Sequence, residues 1–532
     1  MIPLPQNMVL LDGNLPLSKN LILELQGLLP ASDLEFNSQT QTRYNPKTQG
    51  EWDFSIDFHE LSLKPFKSSS ASIDTPDNQR ILLPSLLEDI LHDLQSLHLA
   101  LQKSSSLGAE KLVIELMLRD QVLHNEEEYS LIISSQKVQI IAPAFSGIRF
   151  AIISLVALID SVLGSGKDFL SCMQIEDFPH FPWRGLHLDV SRHFFAPDFI
   201  KTYLNLMHQL KLNKFHWHLS DDQGWRIESK AFPLLHQRGS IRSDIDGNSY
   251  GGFYRQEEIK DILHYAQNLG IEIIPELDIP GHAQAILAAY PDFACFPTDF
   301  YCMNTWGISE NILCAGKDTV LHFLETLLCE LHELFGGLYI HLGGDEVPKT
   351  MWKACPLCQK RIGSQALQDE EELQGWLLKH CQDFLLQLNK QVIVWDEVLD
   401  TNIDSSPIIM IWQGDGKTAV QKAQKNRNYY ILCPNRYLYF DWKYASQSAG
   451  AHGISTLENV YGFPFQNLDS ELLLGLQANV WTEYMPTPES VWQMLIPRIH
   501  ALAELAWTDP QKLDYVSFKQ RIELLGVTNA AL

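Results

Sequence analysis

Eight short apolar runs, separated by stretches long enough to form helices, dominate the sequence from residue 185 onward. Strands that alternate with helices form parallel βαβ units, and eight units in about 350 residues predict an α/β fold, a (β/α)8 TIM barrel. Only residues 396–407 join the fifth and sixth runs, so the helix of that unit should be short or absent. The runs cover residues 185–190, 214–219, 271–277, 338–342, 391–395, 408–412, 429–433 and 474–481.

Tryptophan is distributed unevenly along the 532 residues, and this marks a domain boundary near residue 178. Twelve of the 13 tryptophans lie at Trp183 or later. We predict a smaller α+β domain without evident chemistry over residues 1–178 and the barrel over residues 179–532. The first region contains strand-like runs followed by an apolar stretch of helix length: residues 112–118, 129–133, 138–141 and 147–163.

The charge balance excludes several classes of partner. Lys and Arg total 40 against 65 Asp and Glu, a net charge of −25, and no basic run is long enough to follow a phosphate backbone. We therefore expect neither nucleic acid nor an anionic membrane as a partner. The most apolar stretch, residues 150–159, is far shorter than the roughly 20 residues that cross a bilayer.

The first 14 residues lack a basic start followed by a continuous apolar stretch, so the sequence predicts no signal peptide. We expect a cytoplasmic protein, or a periplasmic or secreted one if a leader has been removed. The oligomeric state cannot be predicted from these features.

Cysteines and histidines are the candidate metal ligands. Nine cysteines, an odd number, all follow residue 171 and make a full disulfide framework improbable. Cys355 and Cys358 form a C-x-x-C without a second pair at zinc-finger spacing, which favours a loop, closed by a local disulfide in an oxidising compartment, over a zinc site. His216 and His218 share a strand face, as in some metal-dependent hydrolases, but packed, hydrogen-bonded histidines are favoured. We predict no metal ion and no cofactor.

Polar residues collect where the predicted strands end, the position of active sites in (β/α)8 barrels. Nearby tryptophans favour a carbohydrate site, because sugar rings stack on aromatic side chains while their hydroxyls pair with carboxylates and arginine. The tryptophans are Trp376, Trp395, Trp412 and Trp481. The polar residues are Arg192, Asp221, Asp222, Glu276, Asp278, Asp345, Glu346, Asp396, Glu397, Gln413, Asn435 and Glu483.

The most prominent acids are adjacent, Asp345 and Glu346, and they follow Gly343 and Gly344. Glycoside hydrolysis ordinarily uses two carboxyl groups about 5 to 9 Å apart, whereas neighbours on a regular strand point to opposite faces. The glycines allow the backbone to leave strand geometry and present both side chains to one pocket. Such a pair indicates one proton donor and one residue that supports something other than a protein nucleophile.

The run HLGGDE at residues 341–346 resembles the catalytic signature of family 20 glycoside hydrolases, the β-N-acetylhexosaminidases. Residues 128–131 and the stretch from Gly147 are similar to the non-catalytic N-terminal domain of that family. Further motifs resemble the family in order: residues 184–194, 213–222, 280–282, 395–397, 481–484 and 497–498, with Glu504 and Trp507.

The resemblance implies substrate-assisted retention, in which the 2-acetamido oxygen of the sugar attacks the anomeric carbon and forms an oxazolinium intermediate. Glu346 would act as acid and then as base, and Asp345 would bind the acetamido N–H. Tyr439 would hold the acetamido oxygen. Asp221 and His282 would form a relay behind the acid.

The resemblance also implies how the terminal sugar is held. Three tryptophans would wall the pocket, namely Trp376, Trp395 and Trp481. Arg192 and Glu483 would bind hydroxyls, with Asp441 a further candidate. A site closed at that end implies exo-cleavage of terminal β-linked GlcNAc or GalNAc from an N-acetylated oligosaccharide or glycoconjugate.

Two other functions remain open. A conventional retaining β-glycosidase would use Glu346 as acid and Glu483 or Glu397 as nucleophile. A sugar-binding protein without activity would retain the barrel, although the intact Asp345 and Glu346 pair argues against it.

Overall fold

The computed structural model describes residues 3–17, 21–26, 92–93, 95–97, 100, 112–243, 247–446, 448–465 and 471–527. It divides into two compact units. The first comprises residues 1–180, 268–270 and 507–512, and the second comprises residues 181–267, 271–506 and 513–532.

The first unit contains a six-stranded mixed sheet in the order β1-β6-β4-β5-β3-β2. Its inward side chains, such as Leu131 on β4 and Ile140 on β5, are fully buried. The strands are β1 (Asn7–Pro16), β2 (Leu21–Gln26), β3 (Leu112–Leu118), β4 (Tyr129–Ile133), β5 (Lys137–Ala142) and β6 (Phe169–Asp177).

The apolar stretch predicted to be helical forms α1 (Phe145–Gly164), which packs on β4, β5 and β6. Among the described residues, this is the one helix long and apolar enough to cross a membrane by length and composition. Half of its most apolar window is buried within the protein. Burial against a sheet is the usual reason for such composition in a core helix.

The second unit is built on a closed barrel of eight parallel strands, and each lies within or overlaps one of the eight predicted runs. The predicted TIM barrel is therefore confirmed. In chain order the strands are β7 (Trp183–Asp189), β8 (Lys214–His218), β9 (Glu272–Glu276), β10 (Tyr339–His341), β11 (Gln391–Trp395), β12 (Ile408–Ile411), β13 (Tyr430–Leu432) and β14 (Leu473–Ala478).

Helices and short two-stranded sheets lie in the connections between the barrel strands. The fifth unit has only the 3-10 helix Asp396–Asp400, which confirms that its helix is short. Other 3-10 helices are Pro291–Phe293 and Pro510–Lys512, and two-stranded sheets pair Ser220–Asp221 with Gly224–Trp225, Ile241–Ser243 with Ser249–Gly251, and Trp442–Lys443 with Ala451–Ile454. The helices are α2 (Pro197–Gln209), α3 (Leu234–Gln237), α4 (Gln256–Asn268), α5 (Gln284–Ala289), α6 (Asp318–Phe335), α7 (Thr350–Ala354), α8 (Pro356–Ser364), α9 (Glu370–Gln387), α10 (Lys417–Asn426), α11 (Asn435–Leu438), α12 (Leu457–Tyr461), α13 (Pro488–Leu495), α14 (Arg498–Trp507) and α15 (Tyr515–Leu524).

The prediction that the C-x-x-C lies in a loop is wrong. Cys355 is the N-cap residue of α8, and Cys358 lies in its first turn. Pro356 occupies the first helical position, where its fixed φ and missing N–H suit a helix start. The proline between the two cysteines therefore begins a helix.

Candidate active site

The C-terminal ends of β8, β9 and β10 place three histidines around one buried carboxylate, that of Glu276. His218 and His341 are in register with Glu276 on its two neighbouring strands. His218 Nδ1 lies 2.5 Å from the carboxylate, while His341 Nδ1 and His216 Nε2 lie 3.1 Å from it. Trp395 Nε1 donates to it at 2.8 Å. Burial alone would raise the pKa of Glu276, but the histidines hold it well below its usual range.

Asp345 and Glu346 follow β10 on a backbone that leaves strand geometry. Gly343 has a φ of +66°, and a Cβ there would lie 1.8 Å from Asp278 Oδ1, so only glycine fits. Glu346 itself has a φ of +49°. Asp345 Oδ2 lies 3.8 Å and Glu346 Oε2 lies 3.6 Å from His282 Nε2. The two neighbouring carboxylates therefore face the same imidazole.

A line of buried charged groups extends behind Glu346. His282 Nδ1 lies 3.1 Å from one oxygen of Asp221, whose other oxygen lies 2.8 Å from His218 Nε2 and 2.9 Å from an Arg192 nitrogen. Burial would raise the pKa of Asp221, but Arg192 and His282 hold it well below its usual range. Burial would lower the pKa of His282, but Asp221 raises it well above its usual value. The raised pKa favours the charged imidazolium form of His282, which faces the two acids.

Asp278 completes the support of Asp345, and sequence reasoning assigned it no role beyond its place at a strand end. Its Oδ1 accepts the Gly344 N–H at 3.1 Å. Burial and the neighbouring Asp345 raise the pKa of Asp278 well above its usual range. A protonated Asp278 can donate to the Asp345 carboxylate and fix its orientation. In the sequence, the signal for a role of Asp278 was its position two residues after Glu276, at the end of β9.

The predicted hydroxyl-binding residues form a second charged group. The guanidinium of Arg192 lies 5.1 Å from the ring centre of Trp481 and 3.6 Å from Asp189. Burial would lower the pKa of Arg192, but Asp221 and then Glu483 raise it well above its usual range. Burial raises the pKa of Glu483. Burial and then Glu483 raise the pKa of Asp441 well above its usual value. These residues are therefore close enough to share one charged pocket.

An aromatic wall lines the mouth of the barrel. The ring centres of Trp395 and Trp481 are 6.0 Å apart, and those of Tyr439 and Trp481 are 6.4 Å apart. Trp412 stacks on Tyr439 at 5.9 Å. Trp412 directly follows the end of β12, as Trp395 ends β11, so its position in the sequence was a usable signal.

Trp376, which was also predicted to belong to this wall, lies on α9. Its ring stacks on His380 and lies under Arg361, which pairs with Asp318 at the start of α6. On the same helix, Gln374 donates to the Gly344 carbonyl at 2.8 Å. Positions two apart on a helix lie about 200° apart, so Trp376 occupies the opposite face of α9.

The side chain of Glu397, the candidate nucleophile of the alternative mechanism, is hydrogen-bonded to the backbone of Glu346. The Glu346 N–H donates to Glu397 Oε2 at 2.9 Å. Burial, with Asp345 as the next contribution, raises the pKa of Glu397 to about 7. A carboxyl group that is partly protonated near neutral pH is a poor nucleophile.

The carboxyl groups at the mouth of the closed (β/α)8 barrel fit a glycoside hydrolase, and the comparisons narrow the class to the β-N-acetylhexosaminidases. Residues 181–510 match the catalytic domain of glycosyl hydrolase family 20. The chain belongs to this family. Membership implies glycan substrates that contain N-acetylhexosamine.

The similarity extends to characterised relatives. The chain is 40% identical over 414 residues to a β-hexosaminidase of Porphyromonas gingivalis; the match covers 75% of this chain and 53% of that protein, about half its length. It is 30% identical to a β-hexosaminidase of Akkermansia muciniphila, with 76% and 85% covered. The structure matches an exo-β-N-acetylglucosaminidase of Vibrio harveyi in complex with N-acetylglucosamine, with a TM-score of 0.77, 26% identity, and 99% and 77% covered.

Proposed function

We propose that the protein is an exo-acting β-N-acetylhexosaminidase that removes terminal β-linked GlcNAc or GalNAc through an oxazolinium intermediate. One observation carries the proposal: Asp345 and Glu346 both lie within 3.8 Å of His282 Nε2. Adjacent residues that both face one imidazole supply a proton donor and a second carboxylate beside it, and that carboxylate can orient the acetamido group of the substrate.

In the first step, the acetamido carbonyl oxygen forms a bond to the anomeric carbon while the glycosidic C–O bond breaks. Glu346 donates its proton to the leaving oxygen. In the second step, Glu346 takes a proton from water, which attacks the anomeric carbon and releases the acetamido group. Two inversions at one carbon retain the β configuration. Proton transfer of this kind contributes about 10²- to 10⁴-fold.

Asp345 stabilises the positive charge that develops on the cyclised acetamido group by accepting its N–H. A carboxylate already fixed by Asp278 needs no reorganisation when that charge appears. Tyr439 belongs to the aromatic wall, beside Trp412 and Trp481. Burial raises the pKa of its phenol well above the usual value. The phenol therefore remains protonated and donates to the acetamido oxygen.

Arg192, Glu483 and Asp441 bind the hydroxyls of the terminal sugar. Arginine with a carboxylate can bind the C4 hydroxyl of either epimer, so the pocket suits both GlcNAc and GalNAc. Arg192 and Asp441 are buried at this end of the pocket, and a closed end restricts cleavage to chain termini.

The test compares an aryl β-N-acetylglucosaminide with the matching β-glucoside. We expect cleavage of the first alone, inhibited by a thiazoline that mimics the cyclised intermediate, because the glucoside lacks the attacking oxygen. Equal cleavage of both substrates would support the two-carboxylate glycosidase instead. Cleavage of neither would favour a sugar-binding protein.

A further inference from the structure

Four cysteines from three segments of the second unit meet in one cluster: Cys295, Cys314, Cys355 and Cys358. Their Sγ atoms all lie within 4.8 Å of one another. The cluster has no part in the hydrolytic chemistry proposed above. Three of its members are buried, and Cys295 is partly buried.

The backbone around the cluster is built for close approach. An isolated antiparallel bridge pairs Ala294 with Leu313, and the Cys314 N–H donates to the Phe293 carbonyl at 2.9 Å, so the segments that carry Cys295 and Cys314 lie against each other. A Cβ on Gly316 would lie 2.3 Å from the Leu357 carbonyl carbon and 2.4 Å from the backbone nitrogen of residue 358. Only glycine allows these two segments to meet so closely.

The sulfur separations are those of a metal site. Cys295 and Cys358 are 3.7 Å apart, Cys314 and Cys355 are 3.7 Å apart, and Cys314 and Cys358 are 3.6 Å apart. Four sulfurs placed tetrahedrally around zinc at 2.3 Å are about 3.8 Å from one another. Disulfide sulfurs are about 2.05 Å apart. The sulfurs of Cys314 and Cys358 each have two near neighbours, whereas a disulfide pairs each sulfur once.

We propose that these four cysteines bind one Zn²⁺ as thiolates in a closed, tetrahedral structural site. Four thiolates form a soft donor set that suits zinc, and they fill its preferred coordination. Binding displaces the four thiol protons to solvent and requires no redox step. The site differs from the prediction of a loop or local disulfide because Cys295 and Cys314 supply the second pair, which no zinc-finger spacing identifies.

The proposed zinc joins the two loops that carry the reacting groups. Cys295 and Cys314 belong to the connection after β9, which includes His282, and the other two cysteines belong to the connection after β10, which includes Glu346. The link is already tight, since the Leu313 N–H donates to the Pro280 carbonyl at 3.0 Å and Trp352 Nε1 donates to the Leu313 carbonyl at 2.9 Å. Zinc would act as a positioning element for the pair of His282 and Glu346.

The primary test measures metal in the full chain purified under reducing conditions without added chelator. We expect about one zinc per chain by mass spectrometry of the metals. Cys314→Ser should weaken zinc affinity at least about 100-fold, since even groups that only orient a ligand cost 10- to 100-fold. The matched control is Cys381→Ser, another buried cysteine but on α9 and outside the cluster, which should retain zinc.

A second measurement does not depend on whether the variants fold. Wild-type protein treated with chelator and then with Co²⁺ should develop the visible and sulfur charge-transfer absorption of a tetrahedral thiolate complex. Zinc should displace this absorption, and chelation should lower the melting temperature of the wild type. Wild type that holds iron in place of zinc, that binds neither zinc nor Co²⁺, or that shows disulfides among these cysteines by peptide mass spectrometry would overturn the proposal.

Discussion

Buried carboxylates differ between the sheet of the first unit and the mouth of the barrel. In the sheet, Glu115 accepts hydrogen bonds from Lys137 at 2.8 Å and Gln139 at 2.7 Å, so its charge has its own partners. At the barrel mouth, Asp278 and Asp345 lie against each other, and burial together with this crowding raises the pKa of Asp278 well above its usual range. Burial of an acid is thus a weak indicator of function, whereas crowding of buried like charges is a strong one.

The largest expected effect distinguishes the acids at the barrel mouth from a buried acid that has its own partners. Glu346→Gln should lower kcat by about 10²- to 10⁴-fold for substrates with poor leaving groups and much less for good ones, because it removes the proton donor. A series of aryl β-N-acetylglucosaminides with different leaving groups measures the effect. The control is Glu115→Gln, a buried acid with its own cation, which should leave kcat unchanged. An equal loss across the series would argue that Glu346 is not the acid.

Asp345→Asn should lower kcat by about 10²- to 10³-fold, because one preorganised group that stabilises developing charge is lost. Azide should not restore turnover, since no protein nucleophile is missing. Product analysis in the presence of azide provides the measurement. A glycosyl azide of inverted configuration would identify Asp345 as a nucleophile and would contradict the mechanism.

The charged relay predicts a change in pH dependence. Asp221 raises the pKa of His282 above its ordinary value of 6.5. The stabilisation that the charged imidazolium provides is therefore complete below pH 6.5. It is lost as the pH rises through the raised pKa of the folded protein. Asp221→Asn should lower the pKa of His282 and move the alkaline limb of kcat/KM to lower pH. A pH–rate profile tests this, and an unmoved limb would remove His282 from the relay.

The aromatic residues offer a smaller, paired test. Trp412→Ala should lower kcat/KM by about tenfold, or ~1.4 kcal/mol, because it removes one face of the pocket. Trp376→Ala should change kcat/KM little, because its ring lies on the opposite face of α9. Steady-state kinetics of the two variants tests this order, and the reverse order of effects would support the predicted place of Trp376 in the wall.

The smallest expected effect on activity lies in the first unit. Leu131→Ala removes a fully buried side chain from the centre of β4 and should cost about 2 to 5 kcal/mol in the free energy of unfolding of that unit. The folded fraction should keep its kcat. Denaturant unfolding together with active-site titration measures both quantities, and a fall in kcat per titrated site would show that the first unit contributes to chemistry.

The sequence was sufficient for elements whose signals are local. Each barrel strand is an apolar run a few residues long, and a polar group follows its end, so both the barrel and the position of residues such as Asp221 and Glu346 could be predicted. Trp395 and Trp412 follow the same rule, whereas Trp376 lies inside a helix and its predicted place in the wall depends on the family resemblance.

Features that depend on distant parts of the chain could not be predicted. Cys295 and Cys358 are 63 positions apart and meet only because the connections after β9 and β10 fold over neighbouring strands. Asp278 and Asp345 likewise interact across strands, and this contact, which adds to the effect of burial on the pKa of Asp278, is one that no spacing reveals. Local periodicity fixes the strands, but pairings between loops depend on the finished tertiary structure.

The contact between position 343 and Asp278 has a consequence for protein engineering. A saturation library at position 343 should return only glycine among active clones, because any larger residue must displace the carboxyl that orients Asp345. Altered specificity is therefore better sought by diversifying the hydroxyl-binding side of the pocket, where side chains rather than main chain define the available space.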